Sequence, residues 1–252
     1  MTCVAVHGLR GGTGVTSLVA ALGYALQQQG ERVLLLDLCP ENLLRLHFNV
    51  AAGYVQGWAS AGRVGKAWQE CGFEILPGLS LLPYGELSPS QVSVLEHELR
   101  QSPQLWARRL SALEQAYDWV IADLPLRLDG HVRPFLGKAG CDLRLRVMNV
   151  DPASFALLQR GRKDEYASGE RFLLNRYNPA SQLQRDLMQL WLDRHGERLV
   201  PQQVHEDLAV SEAMACKAPL GLYAPGSLAA ADVESLAVWC LANRERLQAA
   251  VA

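Results

Sequence analysis

The chain has 252 residues, 49% of them hydrophobic, with a formal net charge of −2 and a pI near 6.3. That is enough chain for one large α/β core and too little for two full domains, so a single domain over residues 1–252 is expected. The near-zero charge gives no global attraction to nucleic acid or to an acidic membrane, and no run of about eighteen uncharged apolar residues offers a membrane span.

In chain order, Thr2 to His7 reads as a short buried strand ending in glycines. MTCVAVHGLRGG also lacks the charged start, apolar stretch and cleavage site of a signal peptide, and the scattered cysteines point to a reducing compartment, the cytoplasm. Thr16 to Gln29 has apolar residues at helical spacing and stops at Gly30. Val33 to Leu36 reads as a strand covered on both faces. Gly53 to Glu74 is the least patterned stretch and reads as loop with a short helix. Leu79 to Leu82 is a strand, and Gln91 to Gln115 is helical with a break at Ser102-Pro103. Strands follow at Trp119 to Ala122, Leu143 to Val150 and Phe172 to Leu174, then a helix over Gln182 to Arg194, a short strand at Leu199-Val200 and a closing helix from Leu228 to Val251. Short apolar runs alternating with helices predict an α/β fold, a doubly wound, mostly parallel sheet with helices on both faces. The six cysteines form no CxxC pair, so neither a disulfide framework nor a zinc site is expected, and most read as small buried groups.

VAVHGLRGGTGVTSLVAALGYAL is a strand, a glycine-rich turn and a helix in immediate succession. Glycines let consecutive backbone N–H groups point inward, and the helix N-terminus adds partial positive charge, which together suit a phosphate. Leu9, Arg10, Gly11, Gly12, Thr13, Gly14, Val15, Thr16 and Ser17 are the candidate phosphate-binding residues, with the Thr16 hydroxyl placed to reach Mg²⁺. Against G-x-x-x-x-G-K-[ST] the segment departs twice, with Leu9 at the first glycine and Val15 at the lysine. On these residues alone, a tight strand–helix turn without a ligand is the alternative reading.

RGGTGVTS resembles the deviant Walker A loop, KGGxGKTT, of the ParA/MinD ATPases, a P-loop NTPase family, with Arg10 in place of the signature lysine. The resemblance implies ATP and Mg²⁺ as cofactors and a homodimer with nucleotide at its interface, where the signature residue reaches the partner's nucleotide. Arginine keeps the charge and adds a planar fork that suits phosphate oxygens. Val15 removes the lysine that normally neutralises the outer phosphates. LLLDLCPENLL resembles the family's DxDPQxN: Asp37 matches the first acid, near Mg²⁺ through water, and is the one candidate for a catalytic part. Cys39 stands where an aspartate positions the attacking water, a task a thiol does poorly, and Glu41 is the potential substitute. YDWVIADLP resembles the second metal-side strand, with Asp123 holding a Mg²⁺-bound water. Asn175-Arg176 resembles the family's adenine-contacting pair. LVPQQVHEDLAVSEAMACKAPLG resembles its segment IPxdxxvxeAxxxgxPl, read with Pro201 beside the base.

The stretches RGGxGxTxxxAAL, CPxNLLRLxFNV and SLAAADVESLAVWCL are similar to the branch of that family found in bacterial cellulose synthase operons. This implies an ATP-bound dimeric scaffold or regulator of cellulose synthesis and secretion, with weak or absent hydrolysis. Its partners would be other operon proteins such as BcsR, with no specific nucleic acid and the inner membrane reached only through the synthase complex. The alternative is an active ATPase cycling between monomer and dimer in positioning or partition. His205-Glu206-Asp207 has metal-ligand residue types, but three successive residues cannot all face one ion. The closing helix reads as packed rather than membrane-bound.

Overall fold

The structure is a computed structural model, and it describes residues 1–51, 53–127, 132–136, 140–160 and 170–249. Its strands are β1 (Thr2–Gly8), β2 (Val33–Asp37), β3 (Phe73–Leu76), β4 (Leu79–Leu82), β5 (Trp119–Asp123), β6 (Leu143–Asn149), β7 (Glu170–Tyr177) and β8 (Leu199–His205). The helices are α1 (Val15–Gln28), α2 (Pro89–Arg100), α3 (Leu105–Ser111), α4 (Arg133–Leu136), α5 (Pro152–Arg160), α6 (Gln182–His195), α7 (Ala209–Ala215), α8 (Leu220–Tyr223), α9 (Leu228–Ala242) and α10 (Arg244–Ala249). Local chemistry sets several of their ends. Ser88, Ser181 and Ser227 each accept a hydrogen bond from a backbone N–H in the first turn of α2, α6 and α9.

The strands form one sheet in the order β3-β4-β2-β5-β1-β6-β7-β8, parallel throughout except for the β3–β4 pair. Alternation along each strand divides the core. Val4 and Val6 of β1, Val33 and Leu35 of β2 and Ile121 of β5 pack under α1 and α9. Ala5, Leu34, Leu36, Val120 and Ala122 face the opposite layer, where Trp58, Leu99, Trp106 and Phe135 lie. A third cluster, built on Phe172, Leu174, Leu187 and Trp191, joins β7 to α6. The doubly wound α/β architecture expected from the sequence is the one observed. Its central β1 lies between β5 and β6, so the chain reverses its direction of build at the C-terminal end of β1. In open parallel sheets ligands bind at this crevice.

Four local expectations are corrected. The closing helix does not run unbroken from Leu228: α9 ends at Ala242 and α10 restarts at Arg244, with Asn243 donating its side-chain amide back to the Trp239 carbonyl at 2.8 Å; Val251 lies outside the described residues. Within Gly53 to Glu74, Phe73 opens β3, an antiparallel edge strand whose four residues carry no clear period. β8 runs to His205 rather than stopping at Val200. Cys3 and Cys141 are joined by a disulfide, their Cα atoms 4.8 Å apart; a separation of 138 residues hides from the sequence that β1 runs beside the approach to β6. Cys71 and Cys240 are free and buried, as expected.

Candidate functional site

A cleft of about 350 Å³ opens at the crevice above β1. Arg10, Gly11, Gly12, Thr13, Gly14, Val15, Thr16 and Ser17 line it, together with Cys39 and Glu41 after β2 and Asp123 at the end of β5. Eight of the nine phosphate-loop positions read from the sequence therefore meet the residues expected from two other strands. The ninth, Leu9, turns away: its N–H donates to the Val147 carbonyl at 3.0 Å and its side chain packs on the third core cluster.

The loop is held open from behind. Gly14 caps α1 with φ +88°, a backbone that only glycine adopts at no cost, and a Cβ there would lie 2.7 Å from Asn175 Nδ2. Asn175 donates that amide to the Thr13 carbonyl at 2.7 Å, while its Oδ1 accepts from the Arg176 N–H at 2.9 Å. Asn175 thus braces the loop rather than lining the cleft. Arg176 has φ +57° and is exposed.

The acid side is buried, and of its two carboxylates Asp123 lines the cleft while Asp37 does not. Asp37 is fully buried, accepting from the Cys39 and Leu44 N–H groups at 2.9 and 3.3 Å. Burial first, then the Asp123 charge, holds its pKa well above the usual carboxylate range, and the two N–H donors offset only part of this. Asp123 is 1% exposed, and neither carboxylate oxygen has a hydrogen-bond partner. Burial pushes it up to about 7, against a smaller downward pull from the nearby Thr16 hydroxyl and Cys39 thiol. The Cys39 thiol, pushed up mainly by burial, donates to the Asp123 backbone carbonyl at 3.6 Å. Two buried acids without a cation between them are costly, and an orphaned carboxylate facing a cleft fits a site for hydrated Mg²⁺.

Arg10 does not reach across the cleft. Its guanidinium pairs with Asp151, which also accepts from the Ser154 N–H at 2.7 Å at the start of α5. Val15 leaves no cation at the lysine position, and the sequence did not point to His47, which lies near Ser17. His47 lines the cleft 3.5 Å from Ser17 Oγ. Burial lowers its pKa to about 4, so it is neutral near pH 7 and does not restore the charge that valine lacks. Met214, on α7, also closes the cleft and carried no sequence signal.

Pro201 is not brought to the cleft. It sits as the third residue of β8 and lines a separate cavity of about 200 Å³ with Leu199 and Met188. Counted back from Glu212-Ala213, the family segment IPxdxxvxeA falls on Val204 to Ala213, with His205 at the proline and Asp207 at the acid. β8 ends at His205, whose ring stands 5.7 Å from that of Tyr177 at the end of β7, and Asp207 Oδ1 accepts from the Ala209 N–H at 2.9 Å as α7 begins.

A sequence profile described as cellulose biosynthesis protein BcsQ matches residues 1–241. The chain is 38% identical over 260 residues to the BcsQ of Escherichia coli K12, spanning all of this chain and 98% of that protein. The chain belongs to the BcsQ family. Similarity to the Salmonella typhimurium BcsQ is also 38%, over 96% of this chain and 94% of that one. Among solved structures, the fold matches MinD from Aquifex aeolicus (TM-score 0.75, 17% identity, 96% and 97% of the two chains). It equally matches a cobyrinic acid a,c-diamide synthase from Mycobacterium smegmatis holding an ATP analogue and magnesium (TM-score 0.75, 19% identity, 97% and 96%). This chain thus has the α/β P-loop fold of ParA/MinD-type proteins. No helix among the described residues is long and apolar enough to cross a membrane.

Proposed function

We propose that the protein binds ATP with Mg²⁺ and, as a nucleotide-gated homodimer, serves as a scaffold or regulator of bacterial cellulose synthesis, with little or no hydrolysis. The observation that carries this reading is the pairing of an intact cradle with an incomplete hydrolytic set. The loop residues, the α1 N-terminus, Thr16, Ser17 and Asp123 line one cleft, and the buried Asp37 stands beside Asp123 on the neighbouring strand to complete the metal side. Mg²⁺ would be held by Thr16 and, through water, by the two acids, supplying positive charge beside the phosphates. In the same cleft, Val15 and a protonated Cys39 stand where transition-state charge and a positioned water are needed. The base would be flanked by Arg176 and His205 at the ends of β7 and β8. BcsR and other proteins of the operon are the proposed partners, reached at the inner membrane through the synthase complex.

Arg10 would leave Asp151 to reach a partner's nucleotide, as the signature residue of this family does. A second reading, a working ATPase, has one observation in its favour: Glu41 lines the cleft and could orient water. Mass measurement in solution with and without ATP–Mg²⁺, with analysis of the retained nucleotide, tests both. A dimer retaining ATP rather than ADP is expected. Turnover above about 0.01 per second, a barrier of roughly 20 kcal/mol, would overturn the scaffold reading.

A further inference from the structure

We propose that Asp37, Cys39 and Asp123 form a site for a thiophilic divalent cation of the Zn²⁺ class, taken up without nucleotide. The three side chains come from two adjacent strand ends, β2 and β5, whose Asp37 and Asp123 are paired in register. Each offers one ligand atom, and these atoms all lie within 4.8 Å of one another. Donors sharing a tetrahedral zinc lie about 3.5 Å apart, given Zn–O and Zn–S bonds of roughly 2.1 and 2.3 Å, so an inward shift of about 1 Å brings all three onto one ion. A second observation points to a ligand: both Asp123 oxygens are buried, unpartnered and at the wall of the cleft. Cys39 and Asp123 line that cleft, so an ion held there would be reached from it, as in a zinc site that keeps a position for water rather than a closed structural one.

The sulfur decides the class of ion. Mg²⁺ takes oxygen ligands and keeps much of its water, whereas a thiolate favours zinc-like ions. The cation would displace the Cys39 proton to solvent and form the metal–sulfur bond in its place, with no change of oxidation state. This site does not depend on the nucleotide reading. If that reading also holds, the two cations compete, because Asp123 serves both, and each weakens the other's binding by the same factor.

The full-length, nucleotide-free protein would be titrated with Cd²⁺ while ultraviolet thiolate-to-metal charge-transfer absorption is followed, and with Zn²⁺ by calorimetry. One equivalent of Cd²⁺ should produce the band. Cys39→Ser should abolish it and weaken Zn²⁺ binding about tenfold or more, whereas Cys216→Ser, at an exposed cysteine, should keep both. Absence of the band in the unsubstituted protein, or an equal band in Cys39→Ser, overturns the site. Should Cys39→Ser fail to fold, Asp123→Asn must show the same loss of Zn²⁺ affinity, and unchanged affinity there overturns it too. A protein that retains ATP–Mg²⁺ yet shows no band would sink this proposal and leave the nucleotide reading standing.

Discussion

At Asn175 one amide fixes the shape of the phosphate loop from 162 residues away, through its bond to the Thr13 carbonyl. Thr13 is 1% exposed, so removal of the donor leaves a buried acceptor unpaired. Asn175→Ala should therefore cost about 1–3 kcal/mol of stability, read as a lower urea midpoint, and should reduce nucleotide retention. Retention at the level of the unsubstituted protein would show that the loop holds its shape without the brace. The sequence made Asn175 visible as a member of a motif but assigned it to the base. Its bracing role depends on how close β7 comes to the loop, which linear order does not encode. His47 and Met214 escaped for the same reason: single residues on other elements, with no spacing to announce them.

At the scale of elements, the reading succeeded where apolar runs are long or glycines mark the ends, as at β1, α1, β2 and β5. It failed where strand character is weak. LVPQQVH holds a proline and two glutamines, so β8 looked two residues long, and Pro201, read as following the strand, lies within it. Helix–sheet contact gives the prediction at this scale. Gly23 sits mid-helix in α1 against β2, and a Cβ there would lie 2.4 Å from Leu35 Cδ2. Gly23→Ala should destabilise by about 1–3 kcal/mol despite its better helix propensity, because it overpacks a full layer. Pairing it with Leu35→Val, which removes that methyl, should recover part of the loss, so the double-mutant cycle is non-additive. Strict additivity in chemical denaturation would mean the helix simply shifts.

For the whole molecule, the two buried acids set a pH dependence. Asp123 rises from the ordinary carboxylate range near 4 to about 7 on folding, and Asp37 moves the same way. The native state then binds more protons than the unfolded chain across that window, so stability falls as pH rises through it and the full penalty applies above about 7. His47, lowered to about 4, acts oppositely, but only as pH drops below about 6.5. His7 and His195 are lowered as well and act with His47, so the trend set by the raised acids is read above about pH 6.5, up to about 7.5. With a chelator present, the melting temperature should drop across that interval. Asp123→Asn should flatten the drop, and Mg²⁺ with ATP should reduce it by loading the native state. A melting temperature that climbs with pH there would contradict the burial of these carboxylates.

Pro201, expected at the base and found on β8, has its effect at the rim of the sheet. β8 is the outermost strand on its side, and its pairing with β7 is irregular between Phe172 and Leu174. An outer strand normally offers a row of free N–H and C=O groups on which another chain can template itself. A proline supplies no N–H, and an irregular strand presents a poor ladder, so this rim is ill suited to sheet-to-sheet extension. Two copies that associate are thereby steered away from fibre-like edge growth and toward contact through other surfaces, the cleft face among them.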